Sequence, residues 1–540
     1  MAESSVSWRQ QVWGLFSLSF LIHFLMAWLF PVTQDEAYYF YWSRFPDFGY
    51  FDHPPMIAWL SGLGPLLGFG NGALSHRFGG LITATLLFPV TLSLFRQAGL
   101  SRPTTLISAL VLIHLSLAGL VFGFLNTPDL PLAFFWALAL HEAAAALRSD
   151  PRRWLTAGLV TGLGLHSKYT MVLMGLVYLV TLIRLPARLR SPWPYAGGLV
   201  CLLAFSPHLW WNAQHDWVSF RFQMGRGFLS EYDVATQLAS DLPEAQPPTM
   251  DSPVYQLAYF FEDPKKEEEP RRPKGPLEKS LRRIINYVGG QLGLWGIMLF
   301  VLGWQWWRGR SQRSTSSNLH PQVRPLIISG TLVPLGFFAL ISPFQNVEAN
   351  WPAFYVMSAA AWLAAQTWCR PKGLWRAGLA NVALTCLLLV HSHYPLTAKK
   401  PSKDRILRET HGYEALADHL AQLEGPILVD TYQNVAMLSF YAPNHQFGQW
   451  PGIARLSEAL RRKQMVPFRQ TDLEAQQSFY LLTNNFLPPV IPDFKAHKLW
   501  QILDCLDEPL QIQEAIGSQP QPPCEPVVHR WTLVQYRQID

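Results

Sequence analysis

Apolar stretches long enough to cross a lipid bilayer recur through the first 395 of the 540 residues, and they constrain the fold more than anything else in the chain. A hydrocarbon core of about 30 Å takes about 20 apolar residues of helix to span. Backbone immersed there must satisfy its own hydrogen bonds, which helices do within one segment. The stretches 11-31, 77-96, 104-124, 128-147, 153-166, 169-185, 195-211, 286-307, 325-342, 352-369 and 375-394 meet or approach that length. They predict an all-α polytopic membrane bundle of about 11 transmembrane helices. The first stretch ends at Pro31 without a small-residue cleavage site, so it reads as a retained helix and not a signal peptide. Only 15 % of the residues are charged, against about 25 % in soluble proteins. Residues 396-540 escape that deficit and read as a soluble domain, giving two domains, 1-395 and 396-540.

Lys and Arg in the connecting loops orient the bundle. One set of loops carries Arg9; Arg96 and Arg102; Arg148, Arg152 and Arg153; Arg184, Arg188 and Arg190; Arg308, Arg310, Arg313 and Arg324; and Arg370, Lys372 and Arg376. The opposite short loops, Asn126-Thr127 and Pro343 to Trp351, carry none. The chain is expected to start in the cytoplasm and end outside it. The net charge of +6 does not point to nucleic acid, because the basic residues sit between apolar segments and not on one polar face. Membrane lipids are the expected surroundings.

Two longer pieces then lie outside. Residues 231-283, rich in Pro and charge, are expected to form a flexible outer loop, since such a composition buries too little apolar area to order itself. Residues 396-540 are expected to form an α/β domain. Ile427-Leu428-Val429-Asp430 reads as a buried strand, and Gly412 to Leu423 has helical spacing with Leu416 and Leu420 on one face. Cys505 and Cys524, in the compartment where oxidation is permitted, are candidates for a disulfide.

The chemistry concentrates in the loops without Lys/Arg bias. Where the first helix leaves the membrane stand Asp35 and Glu36, then the aromatic run Tyr38-Tyr39-Phe40-Tyr41-Trp42, and shortly after them Asp52-His53-Pro54-Pro55. Adjacent carboxylates suit general-base work on an acceptor hydroxyl, and they equally suit the first turn of a helix. The aromatics are open between substrate binding and an interfacial belt. The next outer loop presents Asp129 after Pro128, a catalytic candidate or a helix opener. Lys168-Tyr169 and Glu348-Ala349-Asn350-Trp351 fall at the same face. Charge at a membrane boundary is a functional candidate by default, although Lys168 could simply snorkel. Carboxylates that activate a nucleophile, with basic groups that stabilise a phosphate leaving group, fit sugar transfer from a lipid phosphate.

In these motifs the chain resembles the GT-C membrane glycosyltransferases, in the bacterial branch related to protein O-mannosyltransferases and the lipid A aminoarabinose transferase. The resemblance rests on Asp35-Glu36-Ala37-Tyr38-Tyr39, Gly49-Tyr50-Phe51-Asp52-His53-Pro54-Pro55, Thr127-Pro128-Asp129, Ser167-Lys168-Tyr169-Thr170, Trp211-Asn212-Ala213-Gln214-His215-Asp216-Trp217 and Glu348-Ala349-Asn350-Trp351-Pro352, in that order along residues 10-370. It implies a bacterial inner-membrane enzyme with a periplasmic C-terminal domain. It also implies a polyprenyl-phosphate sugar donor, an acceptor lipid, glycan or protein, and inversion at the anomeric carbon. Asp35 becomes the catalytic carboxylate, beside Glu36, with Asp129 the second acid. Tyr38, Tyr39, Asp52, His53, Lys168, Tyr169, Glu348 and Asn350 become substrate-binding residues. In the aminoarabinose enzymes the acid at the position of Asp52 is followed by a lysine associated with metal and carrier phosphate. Here His53 stands in that place, and Lys168 or Arg226 is the candidate for the positive charge. No cofactor is fixed by the sequence; a divalent metal at Asp52 stays open. The competing reading is a membrane transporter or flippase, which the lack of an inverted repeat and of paired broken helices disfavours.

Overall fold

The computed structural model describes residues 7–228, 238–248, 275–309, 318–396, 400–485, 487–514 and 524–539. Helix α1 (Trp8–Leu29) opens on a capping box formed by Ser7 and Gln10 and ends at Phe30, whose extended backbone turns the chain outward. It shows Trp13, Leu21 and Trp28 to the outside and buries Leu15, Ile22 and Met26, the division expected of a helix between lipid and bundle. After it come α2 (Gln34–Ser43), α3 (Met56–Leu66) and α4 (Ala73–Gln97). Then follow α5 (Pro103–His114), α6 (Leu117–Phe122), α7 (Asp129–Arg148) and α8 (Arg153–Leu165). Helix α7 runs through the centre of the bundle, with Leu132, Trp136, Leu140 and Ala143 inaccessible to solvent.

Every apolar stretch expected from the sequence holds helix. Among the described residues, α1, α4, α7, Arg324–Ile341 and Pro371–His393 are long and apolar enough to cross a membrane. The pair Pro276–Gly293 and Met298–Gly309 adds a sixth if it counts as one span, but it bends by 86°. The stretch 286-307 is therefore not the single helix expected. Gly296 at the break has φ +59°, a conformation that glycine adopts without steric penalty. The stretch 104-124 is likewise divided, at Ser116, whose side chain caps α6 by accepting from Gly119 N–H. One buried side chain, Asn381, serves both breaks. It accepts from Ile297 N–H at 2.8 Å and donates to the carbonyls of Leu115 and Trp295 at 2.9 and 3.1 Å.

The C-terminal domain contains a six-stranded mixed sheet of order β2-β1-β3-β6-β4-β5, formed by β1 (Ile427–Val429), β2 (Phe447–Gln449), β3 (Ser478–Thr483), β4 (Phe494–Cys505), β5 (Gln511–Glu514) and β6 (Val527–Gln538). Strand β1 pairs in parallel with β2 and β3, and the other pairings are antiparallel. The expected strand at Ile427 and the expected helix (Tyr413–Leu420, with Leu416 and Leu420 buried) are both present. Cys505 and Cys524 are joined as a disulfide.

The expectation of a flexible loop over 231-283 needs correction where the chain is described. Residues 238–248 lie along the C-terminal domain: Ala239 N–H donates to Leu460 O, Trp450 Nε1 donates to Pro243 O, and Gln246 bridges to Val490. Leu242 is buried with Trp450 and Phe494. One apolar anchor and borrowed backbone partners order a segment whose own composition is too polar to do so. From Pro276 onward the segment is helix. Residues 229–237 and 249–274 lie outside the described residues.

Candidate active site

Helix α2 leaves the bundle with a Thr33–Glu36 capping box, and this box separates the two neighbouring carboxylates. Glu36 is fully buried and receives Arg77 as a fork: Nε donates to Oε1 at 2.8 Å and Nη2 to Oε2 at 2.7 Å. Oε1 also accepts from Asn126 N–H at 3.0 Å, and Oε2 from Thr33 N–H and its hydroxyl, each at 3.2 Å. Arg77, itself 1 % exposed, gives its other protons to the carbonyls of Ala27, Phe30 and Pro31. Glu36 thus ties the end of α1, the start of α2, α4 and the Asn126 loop together. Its expected catalytic role is corrected to a structural one, because five donors occupy its two oxygens.

Asp35, one residue earlier, points elsewhere. Among the described residues it has no hydrogen-bond or ion-pair partner, and solvent reaches it. The surrounding protein pushes its carboxyl up to about 6: crowding first, then the charge of Glu409, with Arg405 opposing and Asp52 adding a smaller push. A carboxylate raised by desolvation and like charge is a stronger base. Gln34 fixes the start of the helix by donating to the Tyr413 hydroxyl at 2.6 Å, and Asp35 lies within electrostatic reach of Glu409, Arg405 and Arg455 of the C-terminal domain.

The aromatic run does not form a belt at the lipid boundary. Tyr38, Tyr39, Phe40, Tyr41 and Trp42 are all buried, in one apolar cluster with Tyr413, Leu416, Val435 and Leu438 of the C-terminal domain. Tyr38 meets Tyr432 at 4.3 Å between ring centroids, and Trp42 stacks on Tyr50 at 4.5 Å. Each fully buried side chain of this size contributes roughly 1.5–3 kcal/mol, so α2 belongs to the core it shares with the C-terminal domain. Tyr39 lies where Asp35, Asp52 and Asp129 all act on its hydroxyl. Three acids from separate loops thus surround one buried ring without meeting one another.

Asp129 begins α7 and is 5 % exposed. Lys168 Nζ meets its Oδ1 at 2.7 Å, and Asn350 Nδ2 donates to Oδ2 at 2.7 Å. Three expected site residues from three loops therefore form one unit. Lys168, 12 % exposed, does not snorkel. Asp52 is also buried; Tyr38 donates to Oδ2 at 2.8 Å, and Arg455 reaches Oδ1 at 2.7 Å. His53 lies half-buried with its ring 6.2 Å from that of Tyr39. Glu348 is exposed and 4.0 Å from Arg405, which also binds Glu409 at 2.7 Å.

Two expectations land differently. Tyr169 turns away from Lys168 to His208 at 2.6 Å and Ser219 at 2.7 Å, where it braces Trp193–Gln214 against Val218–Phe228 and is removed from the acids. Arg226 lies in the helix Val218–Phe228, but its side chain is outside the described residues. For metal, no three His, Cys, Asp or Glu side chains converge among the described residues, and Asp52 already faces Arg455 and Tyr38. The residues present do not make a ready metal set.

Sequence reasoning missed what the C-terminal domain supplies. Arg455 lies over the Tyr432 ring at 4.2 Å. Glu458, fully buried, accepts from Phe51 N–H at 2.7 Å, and its own N–H donates to the Tyr38 hydroxyl at 2.9 Å. Arg461 donates to both oxygens of Glu458, and Arg462 binds Asp47 at 3.0 Å. Basic residues at 455, 461 and 462 were the available signal, yet nothing local in the chain points them at residues 47–52.

A family model described as dolichyl-phosphate-mannose-protein mannosyltransferase matches residues 52–211, a span that includes Asp52, Asp129 and Lys168 and stops short of Asp35. Lipid A galacturonosyltransferase RgtD of Rhizobium johnstonii is 23 % identical over 400 residues, 72 % of this chain and 72 % of that protein. The crystal structure of ArnT from Cupriavidus metallidurans in the apo state superposes with a TM-score of 0.55 at 15 % identity, covering 88 % of this chain and 92 % of that one. The same protein bound to undecaprenyl phosphate gives 0.55 at 13 % identity, over 95 % and 99 %. At such identities the structural likeness establishes the shared fold.

Proposed function

Starting from its place among the GT-C superfamily glycosyltransferases, we propose that this chain transfers a sugar from a polyprenyl-phosphate donor to an acceptor on the periplasmic face, with Asp35 as the catalytic base. The observation that carries the reading is the contrast among the acids. Glu36, Asp52 and Asp129 are engaged by Arg77, Arg455 and Lys168, while Asp35 has no such partner among the described residues and a carboxyl raised to about 6. In the proposed step the acceptor hydroxyl attacks the anomeric carbon and its proton passes to Asp35. The bond from that carbon to the phosphate oxygen breaks on the opposite side, and its electron pair leaves with the phosphate. Direct displacement inverts the anomeric centre. Asp129, held by Lys168 and Asn350, acts as an oriented acceptor for sugar hydroxyls. The Lys/Arg bias of the loops supports a periplasmic location for the acids and the C-terminal domain.

The donor named for the relatives sets the order of testing. Membranes holding wild type or Asp35→Asn receive a panel of radiolabelled polyprenyl-phosphate sugars, a galacturonosyl donor among them, with lipid A as the first acceptor. Label reaching the acceptor only with wild type is the expected result. Equal transfer by a folded Asp35→Asn protein would remove Asp35 from the chemistry.

A further inference from the structure

The reaction just described places a departing phosphate opposite Asp35, and that anion needs a fixed cation. The described basic residues near these acids differ in what they have left to give. Arg77 is saturated by Glu36 and three carbonyls. Lys168 is buried against Asp129, Arg461 forks onto Glu458, and Arg462 is held by Asp47. Arg405 is shared by Glu409 and Glu348 on the outer surface. Arg455 stands apart. Its Nη1 meets Asp52 at 2.7 Å and donates to Leu456 O at 3.0 Å, its guanidinium carbon lies 4.2 Å from the Tyr432 ring centroid and 5.1 Å from that of Phe222, and its side chain keeps 37 % exposure.

This geometry suits an anion. A guanidinium presents its protons along a rigid planar fork, so one edge can stay on a carboxylate while another receives a phosphate. The rings of Tyr432 and Phe222 lie within cation–π distance of the guanidinium. The position is also right, because Arg455 acts electrostatically on Asp35, on Tyr38 and on Tyr432. It therefore stands within electrostatic reach of Asp35 while in contact with Asp52. The main chain brings it there through the carboxyl ends of the parallel strands. Tyr432 follows β1 and Arg455 follows β2, at the edge where open α/β sheets commonly bind ligands.

We infer that Arg455 of the C-terminal domain is the phosphate-binding residue for the polyprenyl carrier, placed beside Tyr432, with Asp52 as a competing anion at one of its nitrogens. The inference rests on the proposed transferase reading, and its test separates the two. Purified full-length protein in nanodiscs is titrated with undecaprenyl phosphate and, in parallel, with undecaprenol. Wild type should prefer the phosphate; no preference would defeat the transferase reading itself. Arg455→Gln should bind the phosphate about tenfold or more weakly while its affinity for the alcohol stays put. Asp52→Asn, which frees the guanidinium from a competing carboxylate, should bind the phosphate as well as wild type or better. If Arg455→Gln does not fold, Arg455→Lys takes its place: it keeps charge without the fork, and should lose affinity for the phosphate only. Unchanged phosphate affinity in the Arg455 variant would overturn the inference. So would equal weakening by Arg455→Gln and Asp52→Asn, which would mark the pair as a clamp between domains.

Discussion

The first turn of α2 and the first turn of α7 present the same residue type at the same face, and the bundle treats them in opposite ways. Asp35 is crowded but has no partner among the described residues, whereas Asp129 is gripped by Lys168 and Asn350. A carboxylate held by a cation is a poor base and a good anchor; one raised by crowding is the reverse. The difference lies in the neighbours that the fold supplies, since each residue is an Asp near a helix start.

The largest expected effect breaks the comparison on the α2 side. Asp35→Asn should lower turnover by about 10²–10⁴-fold, the usual worth of a general base, with an unchanged chromatographic profile and the acceptor that wild type uses. Next comes the adjacent acid. Glu36→Gln leaves Arg77 buried without its counter-charge, and breaking such a pair costs about 3–5 kcal/mol. Thermal unfolding in detergent should reveal the loss, and a melting curve matching wild type would contradict the structural role given to Glu36. Asp129→Asn should be milder, because Asn350 and the helix start persist; a charged hydrogen bond is worth about 1.5–3 kcal/mol. Its signature is a raised KM together with lowered stability.

The smallest effect is the most specific. With its carboxyl near 6, Asp35 should place an acid limb near pH 6 in the kcat/KM profile. Glu409→Gln removes one contributor to that shift and should move the limb to lower pH. A limb that does not move would disconnect Glu409 from the base. Stability follows the sign of the same shift. The folded state holds the Asp35 proton more tightly than the unfolded chain, so the stability from this group is present in acid and is lost as pH rises through about 6. Asp35→Asn should therefore be at least as stable as wild type at neutral pH.

Much of this arrangement is legible in the chain. Apolar length announces the bundle, and the short loops without Lys or Arg gather Asp35, Asp52, Asp129, Lys168 and Asn350 at one face before any coordinates exist. Glu36 misleads because adjacency in sequence suggests shared duty, while consecutive residues of a helix face different directions. The bend at Gly296 escapes a hydropathy window, since it depends on Asn381 some 85 residues on to satisfy the broken backbone. The aromatic run reads equally well as a lipid belt until the domain that covers it is known. Arg455 and Glu458 are invisible for a plainer reason: about 400 residues separate them from the Asp52 loop, and only the folding of the sheet closes that distance.

The burial of α2 between bundle and sheet bears on how such a protein can be divided or recombined. Residues 37–58 share one apolar core with residues 413–465. In a chimaera of two relatives, the boundary that respects these contacts is not the one at residue 395. The outer helix and the C-terminal domain should travel as one heritable unit, and a graft that parts them should expose aromatic surface and misplace the base along with it.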